Sequence, residues 1–325
     1  MSDTASATVP AAKPRSKRWT RAAGLLTAVF TFIGVVFMLY VLAQLPNEFS
    51  GVRTESWAWA LPAVVLAALT YVGSAVSLRG AVIPPLPMAR TTELQLAEAF
   101  TSVATPDGVG SVALSNRFLA HFGLEPVTAV GAFTLSSVAS GIVGVTAAAI
   151  AAALSADQFS VSSASHQTNW WLILVAVVVV ALVVGAVVWI GRIRRRVLPP
   201  VARALRDLVV VLRRPRRAAA LFGGEIFYTL VEAASLVAIL HMLDVRAPFA
   251  VAVVLVVAAN GVGSAVPLPG AMGAPEALLV AGLAAAGVDR VNAVAAAASY
   301  RLLTYWLPTI PGALAARNLK RQGLL

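Results

Sequence analysis

The chain contains no cysteine in 325 residues, and 14 acidic residues stand against 25 lysines and arginines. The first absence excludes disulfides, thiolate metal sites and cysteine nucleophiles. Charged residues make up only 12% and aromatic residues 7%. A soluble domain carries about twice that share of charge. His121, His166 and His241 are scattered without metal-ligand spacing, and the acids show no pairing suited to acid–base catalysis. No nucleotide-binding motif is present either. What remains is hydrophobic: 59% of residues, with a mean hydropathy of +0.84. These numbers describe an integral membrane protein of the all-α class. The net charge of +11 belongs to short loops beside apolar runs, so it reports topology rather than nucleic-acid binding.

Full spans are expected at 22–45, 57–78, 127–154, 170–191, 218–242 and 291–313, each near the length needed to cross a bilayer. Trp57 and Trp59 anchor the second, and Trp170 and Trp171 the fourth. Residues 1–21 read as a basic, disordered tail, 22–317 as one transmembrane domain, and 318–325 as a second short tail. The run at 22–45 is too long for a signal-peptide core and reads as a retained span.

Two segments do not fit the pattern of plain spans. Thr105-Pro106-Asp107-Gly108-Val109-Gly110 interrupts one apolar region, and Pro267-Leu268-Pro269-Gly270-Ala271-Met272-Gly273 interrupts another. Proline removes a backbone donor and glycine weakens a helix, so neither segment crosses as one unbroken helix. Segments 91–122 and 249–287 therefore read as re-entrant hairpins of two short helices. Irregular backbone at that depth survives where protein or a watery cavity satisfies it, and matched broken helices point to a transport site.

With the N-terminus cytoplasmic, 20 of the 25 basic residues fall in cytoplasmic segments: five in the tail, two at 79–90, ten at 192–217 and three at the C-terminus. Both termini are then cytoplasmic, and the two hairpins approach the midplane from opposite faces. The segment 192–217 also has arginine spacing suited to an amphipathic surface helix attracted to anionic lipid. Small-residue spacing supports a repeat. Pro106-x3-Gly110 is followed by Gly123-Leu124 and Ala129, and Pro269-x3-Gly273 by Gly287-Val288 and Ala293. Two readings stand: an inverted repeat, or two unrelated interrupted helices.

Leu268-Pro269-Gly270-Ala271-Met272-Gly273-Ala274-Pro275-Glu276-Ala277, then Ala286-Gly287-Val288, then Tyr300-Arg301-Leu302-Leu303-Thr304-Tyr305-Trp306-Leu307-Pro308 and Gly312, carry a family resemblance. They resemble the transmembrane region of lysylphosphatidylglycerol synthases and related stand-alone flippase-like membrane proteins. Spacing extends the likeness from about residue 79 to 316. The first half departs from the family pattern. Ser111 and Leu114 stand where the family commonly has an acid and an arginine, with Arg117 one turn later, and Ser136-Ser137 replaces a Glu-Arg pair. No aminoacyl-transferase domain follows Leu325, so the resemblance does not bring the synthase reaction with it and no enzyme activity is expected. It implies movement between leaflets of a phospholipid or glycolipid with a charged or modified head group, anionic or aminoacylated, in the cell membrane. A partner enzyme that modifies lipids fits the same resemblance, and no cofactor is expected.

Glu276 and Arg301 flank the second break, where a membrane-embedded charge costs about 2.5–3.5 kcal/mol. Either Arg301 contacts a lipid phosphate with Glu276 orienting it, or the two form a structural ion pair. Tyr300, Tyr305, Pro269, Gly270 and Gly273 surround them in sequence. Glu225 and Glu232 lie two helical turns apart. Glu225 is placed near the cytoplasmic interface; Glu232 is deeper, and is either a protonatable or cation-pairing acid or a neutral acid bonded to a hydroxyl. Asp107, Gly108 and Gly110 form the tip of the first hairpin, where Asp107 is either ligand-facing or a helix N-cap. Arg117 either reaches the same cavity or snorkels to the surface. The expected function is lipid translocation. A secondary transporter of a small solute or ion, or a scaffold for a lipid-modifying enzyme, are the alternatives.

Overall fold

The computed structural model describes residues 56–104, 109–124, 126–154, 210–211, 213–265 and 273–325. The expected spans at 22–45 and 170–191, and most of the basic segment 192–217, lie outside these residues. A 3-10 turn (Ser56–Trp59) leads into α1 (Ala60–Ala81), followed by α2 (Met88–Ala104), α3 (Val109–His121) and α4 (Pro126–Leu154). After the gap come α5 (Pro215–Met242), α6 (Phe249–Ala265), α7 (Ala274–Ala285) and α8 (Arg290–Arg301). A π turn (Leu302–Trp306) then leads to α9 (Thr309–Arg321). No strand occurs among the described residues.

Among the described residues three helices are long and apolar enough to cross a membrane: Trp57–Ala81, Ala129–Leu154 and Pro215–Met242. The α4 helix keeps Val145, Ile150 and Leu154 exposed, as a lipid-facing helix should. By contrast α2 and α3 have 17 and 13 residues, and α6 and α7 have 17 and 12. At about 1.5 Å per residue none reaches a hydrocarbon thickness of about 30 Å. The helices of each pair lie on either side of a proline–glycine segment, 105–108 and 266–272, outside the described residues.

The expected span at 291–313 is not one regular helix. Pro308 has no amide hydrogen to extend the ladder, and Leu307 N–H bonds back to the Leu302 carbonyl at 2.7 Å. The backbone widens into the π turn there and resumes as α9. Such widened turns often accompany functional sites.

The largest helix–helix contact is the antiparallel crossing of α1 and α5. Glycine permits it. A Cβ on Gly73 would come within 3.0 Å of the Tyr228 nitrogen and 3.1 Å of the Gly224 oxygen. A Cβ on Gly224 would meet the Ser77 backbone and lie 2.7 Å from the Gly73 oxygen. The contacts are reciprocal, four residues on from each glycine. At the far end the Trp59 ring stacks on His241 with centroids 4.8 Å apart.

Two apolar cores flank this crossing. One joins Leu236, Ile239 and Leu240 of α5 to Val256 of α6, Leu283 of α7 and Ala296 of α8. The other joins Leu94 of α2 and Phe118 and Leu119 of α3 to Ala129 of α4 and Leu319 of α9. The α9 helix thus closes the second of these cores, with Gly312 against the Leu96 carbonyl and Phe100.

Gly123 and Gly287 share a cap geometry that also ends α5 at Asp244 and α9 at Gly323. Gly123 ends α3 at φ 80° and Gly287 ends α7 at φ 87°. In both, the next residue bonds back five positions, Leu124 to Leu119 at 3.1 Å and Val288 to Leu283 at 3.0 Å. That is the glycine-dependent Schellman cap. Ala129 and Ala293 are both fully buried in the helices that follow.

Candidate functional site

Between the two cores lies a cavity of about 390 Å³. Thr70, Tyr71 and Ser74 of α1 form one wall, and Tyr228 and Glu232 of α5 another. Gln95, Glu98, Ser102 and Ser111 of the first helix pair line it, with Phe133 of α4 and Thr304 of the π turn completing it. Among the described residues no lysine or arginine is in the wall. Its polar groups are hydroxyl, amide and carboxylate, and Ala99, Val112 and Phe133 make the rest of it apolar.

Each carboxylate is held by neutral donors. Tyr300 O–H donates to Glu232 Oε1 at 2.9 Å, Tyr228 O–H to the same oxygen at 3.3 Å, and Asn260 Nδ2 to Oε2 at 2.8 Å. The tyrosine at position 228 lies one turn before Glu232 on the same helix, where i,i+4 neighbours meet. The other donors come from α6 and α8, so Glu232 ties three helices together. Glu98 accepts from Gln95 Nε2 at 3.1 Å and from the Ser115 hydroxyl, while Ser111 donates to the Glu98 carbonyl at 3.2 Å. These bonds fasten α2 to α3.

A second cluster stands beside the cavity. Arg301 Nε donates to Glu276 Oε1 at 2.7 Å, and the Arg301 guanidinium carbon lies 4.1 Å from the centre of the Tyr305 ring. Glu276 is the third residue of α7, and its Oε2 accepts from the N-cap Gly273 N–H at 2.9 Å. One carboxylate thus caps α7 and fixes it to the end of α8. The pair is partly open, with side chains 17% and 26% exposed. Arg301 also lies within electrostatic reach of Glu232. Neighbouring residues Tyr300 and Arg301 therefore engage two acids from different helices.

The structure thus gathers Glu232, Glu276, Tyr300, Arg301, Tyr305 and Gly273. Asp107, Gly108, Pro269 and Gly270 lie outside the described residues. Gly110 is the second residue of α3 and is half-buried. Arg117 is exposed and absent from the cavity wall, which matches the surface reading. Glu225 departs from expectation. It is only 8% exposed, and accepts a bond from the Ser77 hydroxyl at 2.6 Å. The close approach permitted by Gly73 and Gly224 encloses it inside the crossing. Sequence reasoning passed over Glu98, Tyr228 and Asn260. Glu98 carried a signal, being an acid within a segment already too polar to face lipid.

No curated protein matches the chain. The profile of a family described as Lysylphosphatidylglycerol synthase TM region matches residues 22–312, a range that contains the α1–α5 crossing, both short-helix pairs and the Arg301 cluster. On that match, the chain belongs to the lysylphosphatidylglycerol synthase transmembrane-region family.

Proposed function

We propose that the protein carries the head group of a phospholipid or glycolipid through this cavity from one leaflet to the other, without covalent chemistry. The observation that carries the reading is the cavity itself, a space of about 390 Å³ in which two carboxylates and several hydroxyls stand beside apolar side chains. Its volume lies at the lower end of small-molecule sites, about 300–1,000 Å³, which suits a head group without its acyl chains. Phe133, partly exposed on α4, gives one edge an apolar side along which chains remain in lipid. Arg301 beside it is suited to a phosphate, because a guanidinium matches phosphate geometry. Family membership supports a lipid as the cargo.

In this reading the two short-helix pairs are re-entrant hairpins of an inverted repeat. The reciprocal Gly73–Gly224 crossing, with antiparallel helices, is what a two-fold axis in the membrane plane produces. The charge distribution supports termini on the cytoplasmic side of the cell membrane.

The test is leaflet exchange in proteoliposomes. A head-group-labelled fluorescent lipid is quenched by an impermeant reductant, with empty liposomes and an Arg301→Ala protein alongside. Faster loss of the inner-leaflet signal than in empty liposomes, reduced by Arg301→Ala, is expected. No acceleration with any native lipid overturns the reading in favour of a small-solute carrier or a scaffold.

A further inference from the structure

Glu98 and Glu232 share the wall of one cavity, to which no basic side chain among the described residues contributes. Among the described residues neither forms an ion pair. Their bonded partners are hydroxyls and amides, which hold a carboxylate in place without cancelling its charge. The groups facing Glu232 are Tyr71 from α1, Tyr228 on its own helix, Asn260 from α6, and Tyr300 and Arg301 from α8. The single cation among them is bonded to Glu276. Facing Glu98 are Gln95, Ser111 and Ser115, with Tyr71 across the cavity. Two acids in one membrane-embedded space, each held by neutral donors, form an arrangement that membrane helices reserve for ion and proton pathways.

Resting on the lipid-translocation reading, we infer that this cavity is a proton site, and that protonation of Glu98 and Glu232 admits an anionic head group. Glu232 Oε2 receives a single donor, from Asn260, so its second lone pair is left to take a proton. Unprotonated, the cavity presents negative charge to a lipid phosphate. Protonated, it presents only hydrogen-bonding groups, and lipid and proton move together. No bond to carbon is made or broken. The proton adds to a carboxylate oxygen on one side of the membrane and leaves it on the other.

The sign follows from Coulomb's law. A like charge about 10 Å away, at an effective dielectric near 20, slows admission on the order of tenfold. Phosphatidylglycerol exchange in wild-type proteoliposomes is therefore expected to run on the order of tenfold faster near pH 5.5 than near pH 8. The Glu98→Gln, Glu232→Gln double variant should lose that pH dependence, whatever its absolute rate. Exchange that is present but flat with pH overturns the proton inference and leaves lipid translocation standing. Exchange that slows in acid also overturns it, because the carboxylates would then act as charged receptors for a cation.

A separate readout covers the case in which no lipid exchanges at all. An apolar carbodiimide, which modifies protonated buried carboxyls, is applied to wild-type protein in liposomes across the same pH range. Modification of Glu98 or Glu232 that rises in acid, located by peptide mass spectrometry, supports the proton site even if translocation fails. No modification at either residue overturns it.

Discussion

The helix pairs α2–α3 and α6–α7 end alike and are held differently. Both terminate in a glycine at positive φ with the same backward bond, and both are followed by a buried alanine. The first pair is fastened from within, because Glu98 of α2 accepts from Ser115 of α3. The second is fastened from outside, because Glu276 of α7 pairs with Arg301 at the end of α8. Backbone geometry is repeated here while charge is not. Among the described residues the cavity is lined by the internally fastened pair and not by α6 or α7. Two helix pairs with like caps thus differ in the side chains that hold them.

Breaking the frame should cost most. Gly224→Leu forces a side chain into the Ser77 backbone at the α1–α5 crossing. Loss of about 3 kcal/mol or more is expected, seen as loss of monodisperse protein in detergent. Gly141→Ala, with nothing within 4 Å of the added Cβ, should behave as wild type.

Next in size is the ion pair of the second half. Arg301→Ala leaves Glu276 unpaired at a partly open site, which should cost about 1–2 kcal/mol after discounting for exposure. Lipid exchange should fall by about tenfold, the effect of losing one charged hydrogen bond. A thermal-shift series that includes Glu276→Gln in the Arg301→Ala background should recover part of the stability but not the exchange. Recovery of both would make the pair purely structural.

In the first half, Ser115→Ala removes the hydroxyl that joins α3 to Glu98. About 1 kcal/mol is expected, less than for Arg301→Ala, because Gln95 still donates to the carboxylate. An equal or larger loss would erase the contrast between the two fastenings. The matched caps are set against each other. Gly123→Ala and Gly287→Ala meet no atom within 4 Å, so each should cost only the left-handed backbone penalty of about 1–2 kcal/mol. Unequal losses would weaken the equivalence of the two pairs.

Much of the frame was legible in the sequence because its determinants are local. Proline and glycine mark the two breaks, Gly123 and Gly287 mark the caps, and Trp57 to Leu78 reads as a span from hydropathy alone. Glu276 and Arg301 were found together because both are charges in apolar surroundings 25 residues apart. Glu98 was passed over because its role depends on Ser115 seventeen residues later and on a cavity completed by α1 and α5. Glu225 was misplaced for a similar reason, since only the approach of two glycine-bearing helices encloses it. The interruption after Arg301 has a local cause in Pro308, yet a π turn differs from a plain helix by one bond and leaves hydropathy unchanged.

The absence of cysteine offers a clean test of the central claim, a wet polar cavity inside the membrane domain. Ser74→Cys places a thiol in the cavity wall, and Ala238→Cys places one in the apolar core of α5. Each protein in liposomes is treated with a charged, water-soluble thiol reagent, with and without excess phosphatidylglycerol. The Ser74→Cys protein should react and be protected by the lipid, while Ala238→Cys stays inert. A thiol at position 74 as unreactive as the one at 238 would contradict the account.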